Sequence, residues 1–133
     1  MKKRKSTSCA PPLTGPVFVV DDNVMLSELT AAVLESAGHK VRHFTDPKAV
    51  LEALNEADPK PTLLVTDYEM GGMNGLELIR SSHKVHPSLK TVLLSGSADS
   101  SMVLMHPGEV HRFLGKPYDP AELKNLVAEL LRT

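Results

Sequence analysis

Val17-Phe18-Val19-Val20-Asp21-Asp22-Asn23 sets four apolar residues, all β-branched or aromatic, directly against three polar ones. Strict alternation would mark a strand with one wet face. An unbroken apolar run of this length marks a strand covered on both faces. The pattern returns at Leu63-Leu64-Val65-Thr66, closed by Asp67, and at Thr91-Val92-Leu93-Leu94, closed by Ser95-Gly96. Two weaker strands are expected at residues 39–44 and 110–114.

Helical patterns fill the intervals. Leu26, Leu29, Thr30, Val33 and Leu34 recur at i, i+3, i+4, i+7 and i+8, which predicts one inward helix face. Gly38 stops that helix. Asp46-Pro47 opens the next, with Asp as the cap and Pro at the first helical position, and Val50, Leu51 and Leu54 turned inward. Leu76 and Ile79 begin a third after Asn74-Gly75. Residues 98–105 have helical composition but meet His106-Pro107-Gly108, so a short fourth helix of about two turns is expected. Asp119-Pro120-Ala121-Glu122 opens the last, with Glu at its third position, and Leu123, Leu126, Val127, Leu130 and Leu131 form its stripe. The order β-α-β-α-β-α-β-α-β-α, with strands buried on both faces, implies an α/β fold with a doubly wound parallel sheet.

Composition narrows the field. The chain has 133 residues, a net charge of −1 and 41% apolar residues. That suits one globular domain and excludes wholesale disorder. No apolar run approaches the roughly 18 residues of a membrane span. Residues 1–15 read as a flexible basic and Pro-rich tail. Lys2, Lys3, Arg4 and Lys5 open it, but the polar stretch behind them is no secretory core. Near-neutral charge gives no general attraction to nucleic acid. The lone Cys9 permits no internal disulfide and makes a cytoplasmic location the default expectation. His83, His86, His106 and His111 lack a third partner at zinc-ligand spacing. Gly71-Gly72 and Gly75 fit no nucleotide-binding glycine pattern.

In a doubly wound sheet, ligands bind beyond the carboxyl ends of the strands. Asp21 and Asp22, Asp67, Ser95 and Lys116 all stand at those ends. Singly, each has an ordinary explanation: a helix cap for Asp22, a turn for Asp67, a loop for Ser95-Gly96, a solvated amine for Lys116. Together they gather three carboxylates in one crevice, where like charge and desolvation would raise a pKa. A hard divalent cation relieves that conflict, because Mg²⁺ takes carboxylate, carbonyl and water oxygens. One Asp then stays ionised as a nucleophile toward phosphorus, with Lys116 as a point charge for phosphoryl oxygens.

This set resembles the receiver domain of two-component response regulators. Asp67-Tyr68-Glu69-Met70-Gly71-Gly72-Met73-Asn74-Gly75 is close to the family signature D-x-x-M-P-x-M-[DN]-G, and Phe113 sits three before Lys116, where the family has its switch aromatic. The resemblance covers residues 16–133. It implies a CheY-like, flavodoxin-like (βα)5 fold with five strands in the order 2-1-3-4-5, here with a shortened fourth helix.

The resemblance also implies roles. Asp67 is the expected phospho-acceptor and, with Lys116, the catalytic pair. Asp22 and Asp67 are the expected metal ligands, joined by the Glu69 backbone carbonyl and, through water, by Asp21. The ion is expected to be Mg²⁺, with Mn²⁺ as a substitute. Ser95, Lys116 and Phe113 are the expected phosphoryl-binding and switch residues, Glu69 and Ser97 flank the pocket, and Lys116-Pro117 is expected in cis. Three departures stand out: Gly71 in place of Pro, Phe113 without a hydroxyl, and a Ser95–Lys116 interval about one residue short.

The expected function is that of a signalling phospho-acceptor in a phosphorelay, not a turnover enzyme. A sensor histidine kinase or phosphotransfer protein supplies the phosphoryl group. The switched surface, formed by the fourth helix, fifth strand and last helix, then acts by protein contact, including a homodimer formed on phosphorylation. No DNA-binding, cyclase or phosphodiesterase segment is recognisable, so the chain is expected to be a stand-alone receiver or part of a longer protein, without direct nucleic-acid or membrane contact. A phosphorylation-independent pseudo-receiver is the alternative. An aspartate-nucleophile phosphatase is weaker still, since Asn23 stands where its second acid would follow Asp21.

Overall fold

The computed structural model describes residues 15–57, 60–96 and 108–132. They form five strands and four helices: β1 (Val17–Val20), α1 (Val24–Ser36), β2 (Val41–Phe44), α2 (Pro47–Glu56), β3 (Leu63–Asp67), α3 (Gly75–Val85), β4 (Lys90–Ser95), β5 (Arg112–Gly115) and α4 (Pro120–Arg132). The strands make one sheet in the order β2-β1-β3-β4-β5, every pairing parallel. This is the expected 2-1-3-4-5 arrangement. The expected tail, apart from Gly15, and the expected helix over 98–105 lie outside the described residues, as do Cys9, Ser97 and His106.

Register explains the unbroken apolar runs. Val17 and Val19 point to one face of the sheet, and Phe18 and Val20 to the other. The first pair joins Val33, Leu34, Leu63, Val65, Val92, Leu94, Leu123, Val127 and Leu130 in a layer under α1 and α4. The second pair joins Val50, Leu54, Leu64, Leu76, Ile79 and Leu93 in a layer under α2 and α3. Leu34, Leu54 and Leu123 are wholly buried, each removal from water favouring the fold by about 1.5–3 kcal/mol. The edge strand β2 is wetter, with Arg42 and His43 exposed. Arg42 stacks its guanidinium over the Phe18 and Phe44 rings, 5.4 and 5.3 Å from their centroids, so its charge still covers apolar surface.

Helix ends follow the sequence signals. Asp46 Oδ1 accepts the Lys48 N–H at 3.0 Å and Pro47 opens α2. Beyond α1, the Gly38 N–H bonds the Glu35 carbonyl at 2.9 Å with φ at +98°, a conformation glycine adopts without strain. Asp119 accepts the Ala121 N–H at 2.9 Å and its own N–H reaches Glu122 at 3.3 Å.

One helix is turned differently from expectation. α1 buries Ser27, Thr30, Ala31, Val33 and Leu34, while Leu26 is 38% and Leu29 56% exposed. α1 is apolar on more than one side, so its periodicity does not single out a face. Small side chains do: Ser27 and Ala31 let the helix lie close to the sheet, and the Ser27 hydroxyl satisfies itself on the Val24 carbonyl at 2.8 Å.

Candidate functional site

The carboxyl ends of β1, β3 and β4 and the segment after β5 meet at one edge of the sheet. Asp21 follows β1, Asp67 is the last residue of β3, Ser95 is the last of β4, and Lys116 follows Gly115 of β5. Backbone bonds lock these ends together. The Tyr68 N–H donates to the Leu94 carbonyl at 2.8 Å, and the Lys116 N–H to the Ser95 carbonyl at 2.9 Å.

Asp21, Asp22 and Asp67 each present a carboxylate oxygen, all within 4.8 Å of one another. Asp21 and Asp67 are almost fully buried, at 3% and 5% exposure. Asp22 faces solvent. Lys116 Nζ lies 3.0 Å from Asp21 Oδ2 and 3.0 Å from Asp67 Oδ1. Asp21 Oδ1 accepts the Asn23 N–H at 2.9 Å, while Asn23 caps α1 by accepting the Leu26 N–H at 3.1 Å. Asp22 Oδ2 accepts the Gly71 N–H at 3.3 Å.

One ammonium does not balance three carboxylates. Burial pushes the Asp67 carboxyl above its ordinary value; Lys116 pulls it back in part, and the charges of Asp21 and Asp22 push it further up. For Lys116, burial alone would lower the pKa, but its bonds to Asp21 and Asp67 outweigh that and raise it. The remaining negative charge, presented by oxygen ligands alone, is the chemistry a hard divalent cation takes.

α3 presses on this site. Gly75 is its first residue, and a Cβ there would run into the Asp67 carbonyl oxygen and stand 2.8 Å from Leu93 Cδ1. Only glycine allows that approach. Asn74 and Glu77 close the helix start with reciprocal bonds of 2.9 Å. Ser95 is buried, and Phe113 is half-buried against the layer under α2 and α3. Glu69 is exposed in the loop after Asp67. Lys116-Pro117 is cis, as the resemblance implies.

Two features escaped sequence reading. The Tyr118 hydroxyl pairs with Thr30, tying the segment after β5 to α1. Beside that bond, Leu26, Leu29, Val33, Pro117, Tyr118 and Pro120 line an apolar groove of about 370 Å³ that runs up to Asp21 and Lys116.

The response regulator receiver domain model matches residues 17–128. The chain belongs to the response regulator receiver family. The receiver is 35% identical over 114 residues to the response regulator receiver protein CpdR of Brucella abortus, covering 84% of this chain and 91% of that protein. It is 32% identical over 114 residues to the DNA-binding transcriptional regulator NtrC of Escherichia coli, covering 85% of this chain but 24% of NtrC. It matches 14% of the sensor kinase CckA of Brucella abortus, at 29% identity. The receiver thus spans a minor part of several longer relatives. Among solved structures, the receiver domain of NtrX from Brucella abortus superposes with a TM-score of 0.77 at 30% identity, over 88% of this chain and 98% of that one. No helix among the described residues is long and apolar enough to cross a membrane.

Proposed function

We propose that Asp67 accepts a phosphoryl group with the help of a divalent cation, and that the resulting aspartyl-phosphate switches the surface around β5 for signalling. The observation that carries this reading is the placement of a buried, strand-terminal Asp67 3.0 Å from Lys116, inside a cluster of three carboxylates. Asp22 and Asp67 would hold Mg²⁺ directly, with the Glu69 carbonyl beside them and Asp21 acting through water. When bound, the ion neutralises charge on the transferring phosphoryl oxygens.

The chain's own groups do the rest. An Asp67 carboxylate oxygen forms a bond to phosphorus while the P–N bond of a donor phosphohistidine breaks, or the P–O bond of a small acyl phosphate. The departing imidazole keeps the bond's electron pair and takes a proton from solvent, whereas an acyl phosphate's carboxylate departs with the pair as a stable anion. Lys116 holds the carboxylate in place beforehand and stabilises charge during transfer. The Ser95 hydroxyl then donates to a phosphoryl oxygen, and Phe113 turns into the space this movement opens. Phosphorylation biases the two arrangements only by the contacts it adds to one of them. The receiver acts as a phospho-acceptor, not a turnover enzyme, in the cytoplasm, and its output is protein contact.

The donor is a sensor kinase or phosphotransfer protein. Exposed Val24, Met25, Leu26 and Leu29 supply an apolar rim next to the site, which a protein donor covers on its way to Asp67. Incubation with acetyl phosphate and Mg²⁺ followed by intact-mass measurement tests the reading. One added phosphoryl group is expected, dependent on the metal and absent in Asp67→Asn. An adduct that persists in that variant would exclude Asp67 as acceptor.

A further inference from the structure

Gly71 makes a bond that its signature position normally forbids. Its backbone N–H donates to Asp22 Oδ2 at 3.3 Å, linking the loop after β3 to the start of α1. Proline, which the family signature places there, has no N–H to donate. Nothing else at Gly71 calls for glycine: a Cβ would meet nothing within 4 Å, and its φ lies outside the left-handed region, unlike that of its neighbour Gly72.

Asp22 is the exposed member of the acidic cluster. An exposed carboxylate rotates freely unless something orients it. Asp21 is oriented by Asn23 and Lys116, and Asp67 by Lys116. For Asp22, the orienting donor among the described residues is the Gly71 N–H. A carboxylate has lone pairs on both oxygens, so a donor at Oδ2 leaves Oδ1 able to ligate a cation. Hydrogen bonds of this kind to a ligating group fix its direction and commonly govern metal affinity.

We infer that Gly71 is a positioning residue for the divalent cation, its backbone N–H holding Asp22 in the ligating orientation and thereby coupling ion binding to the order of the loop after Asp67. The inference rests on the metal-binding reading above. Coupling is reciprocal: if the ordered loop favours the ion, the ion orders the loop.

Calorimetric titration with Mg²⁺ and no phosphodonor tests it. Gly71→Ala keeps the N–H and should bind within about twofold of the wild type. Gly71→Pro removes the donor and should weaken binding about tenfold, with circular dichroism confirming the fold. A measurement on the unaltered protein stands beside the variants: hydrogen exchange at the Gly71 amide should slow when Mg²⁺ saturates. Equal affinity in Gly71→Pro and the wild type, an equal loss in Gly71→Ala, or exchange at Gly71 indifferent to Mg²⁺ would overturn the inference and leave the metal site standing. Absence of Mg²⁺ binding to the wild type would overturn both.

Discussion

Lys116 Nζ stands 3.0 Å from Oδ1 of Asp67, yet the Asp67 carboxyl keeps a raised pKa. Burial is the largest influence and raises it; Lys116, which also pairs Asp21, pulls it down, and the like charges of Asp21 and Asp22 push it up again. Three carboxylates thus share one ammonium at this site. A structural acid would be expected to settle into its ion pair. An acid in the proposed acceptor role need not.

Replacing that acid exposes the strain. Between the ordinary value of 3.8 and the raised native pKa, the folded chain binds more protons than the unfolded one, so this group's contribution to stability falls as pH rises. Asp67→Asn removes the charge while Asp21 still pairs Lys116. At pH 7 without metal it should be more stable than the wild type by about 1 kcal/mol in urea unfolding, a gain that shrinks in acid. Mg²⁺ should stabilise the wild type and leave the variant unmoved. A less stable Asn variant at pH 7 would contradict the account.

Lys116 is the reverse case. Its side chain is 22% exposed and lies between two buried carboxylates. Lys116→Met leaves them facing each other, and loss of one partner from such a group costs about 3 kcal/mol. The Tm should drop at neutral pH and recover with Mg²⁺ or in mild acid. The raised lysine pKa gives stability that is complete below the ordinary 10.5 and lost as pH rises through the native value. That alkaline limb should be missing from the variant. A Tm unchanged by the substitution would assign Lys116 no part in balancing the cluster.

Gly75 separates packing from charge. A methyl group there meets the Asp67 carbonyl and Leu93, so the start of α3 must move. Gly75→Ala should lose about 1–3 kcal/mol of stability and slow phosphorylation by acetyl phosphate, because the carbonyl it displaces belongs to Asp67, the proposed acceptor. Unaltered stability with full phosphorylation would show that the helix end yields freely.

Much of this was legible in the residues. Apolar runs gave β1, β3 and β4, and the polar residues closing them lie where the strand ends converge. α1 was legible as a helix but not in its facing, because Leu26 and Leu29 look like core until Ser27 and Ala31 are known to set the distance to the sheet. The Gly71–Asp22 bond showed in the sequence only as Gly71 standing where the signature has Pro; that restores an N–H, but which group accepts from it is written in geometry alone. Tyr118 and Thr30 are far apart in sequence, and neither announces the other.

His111 gives the fold a second pH dependence, at the opposite end of β4. Its Nδ1 accepts the Thr91 N–H at 3.1 Å and so carries no proton in this arrangement. Burial lowers its pKa, and nearby His83, Lys90 and Arg112 lower it further. Here the unfolded chain binds the extra proton, so stability is present above 6.5 and lost as pH falls through that value toward the native pKa. His111→Asn offers an oxygen to the same N–H without titrating. It should be less stable than the wild type by about 1 kcal/mol at pH 7.5, from lost packing, with the gap narrowing by pH 5. A gap that widens in acid would refute the assignment of Nδ1 as acceptor.

Leu29 tests how the phosphoryl group arrives. It is 56% exposed and lines the groove that runs to Asp21 and Lys116. A small acyl phosphate needs no apolar docking surface to reach Asp67. On the proposed reading a protein donor buries Leu29, and a carboxylate placed there would have to be desolvated against the donor. Leu29→Glu should therefore keep its rate with acetyl phosphate and its stability within about 0.5 kcal/mol, since the position is already wet. Its rate with a cognate phosphohistidine protein should fall about tenfold or more, the effect of losing roughly 1.4 kcal/mol from a contact. Parallel losses with both donors would place the defect inside the site, and no loss with either would remove α1 from the donor's path.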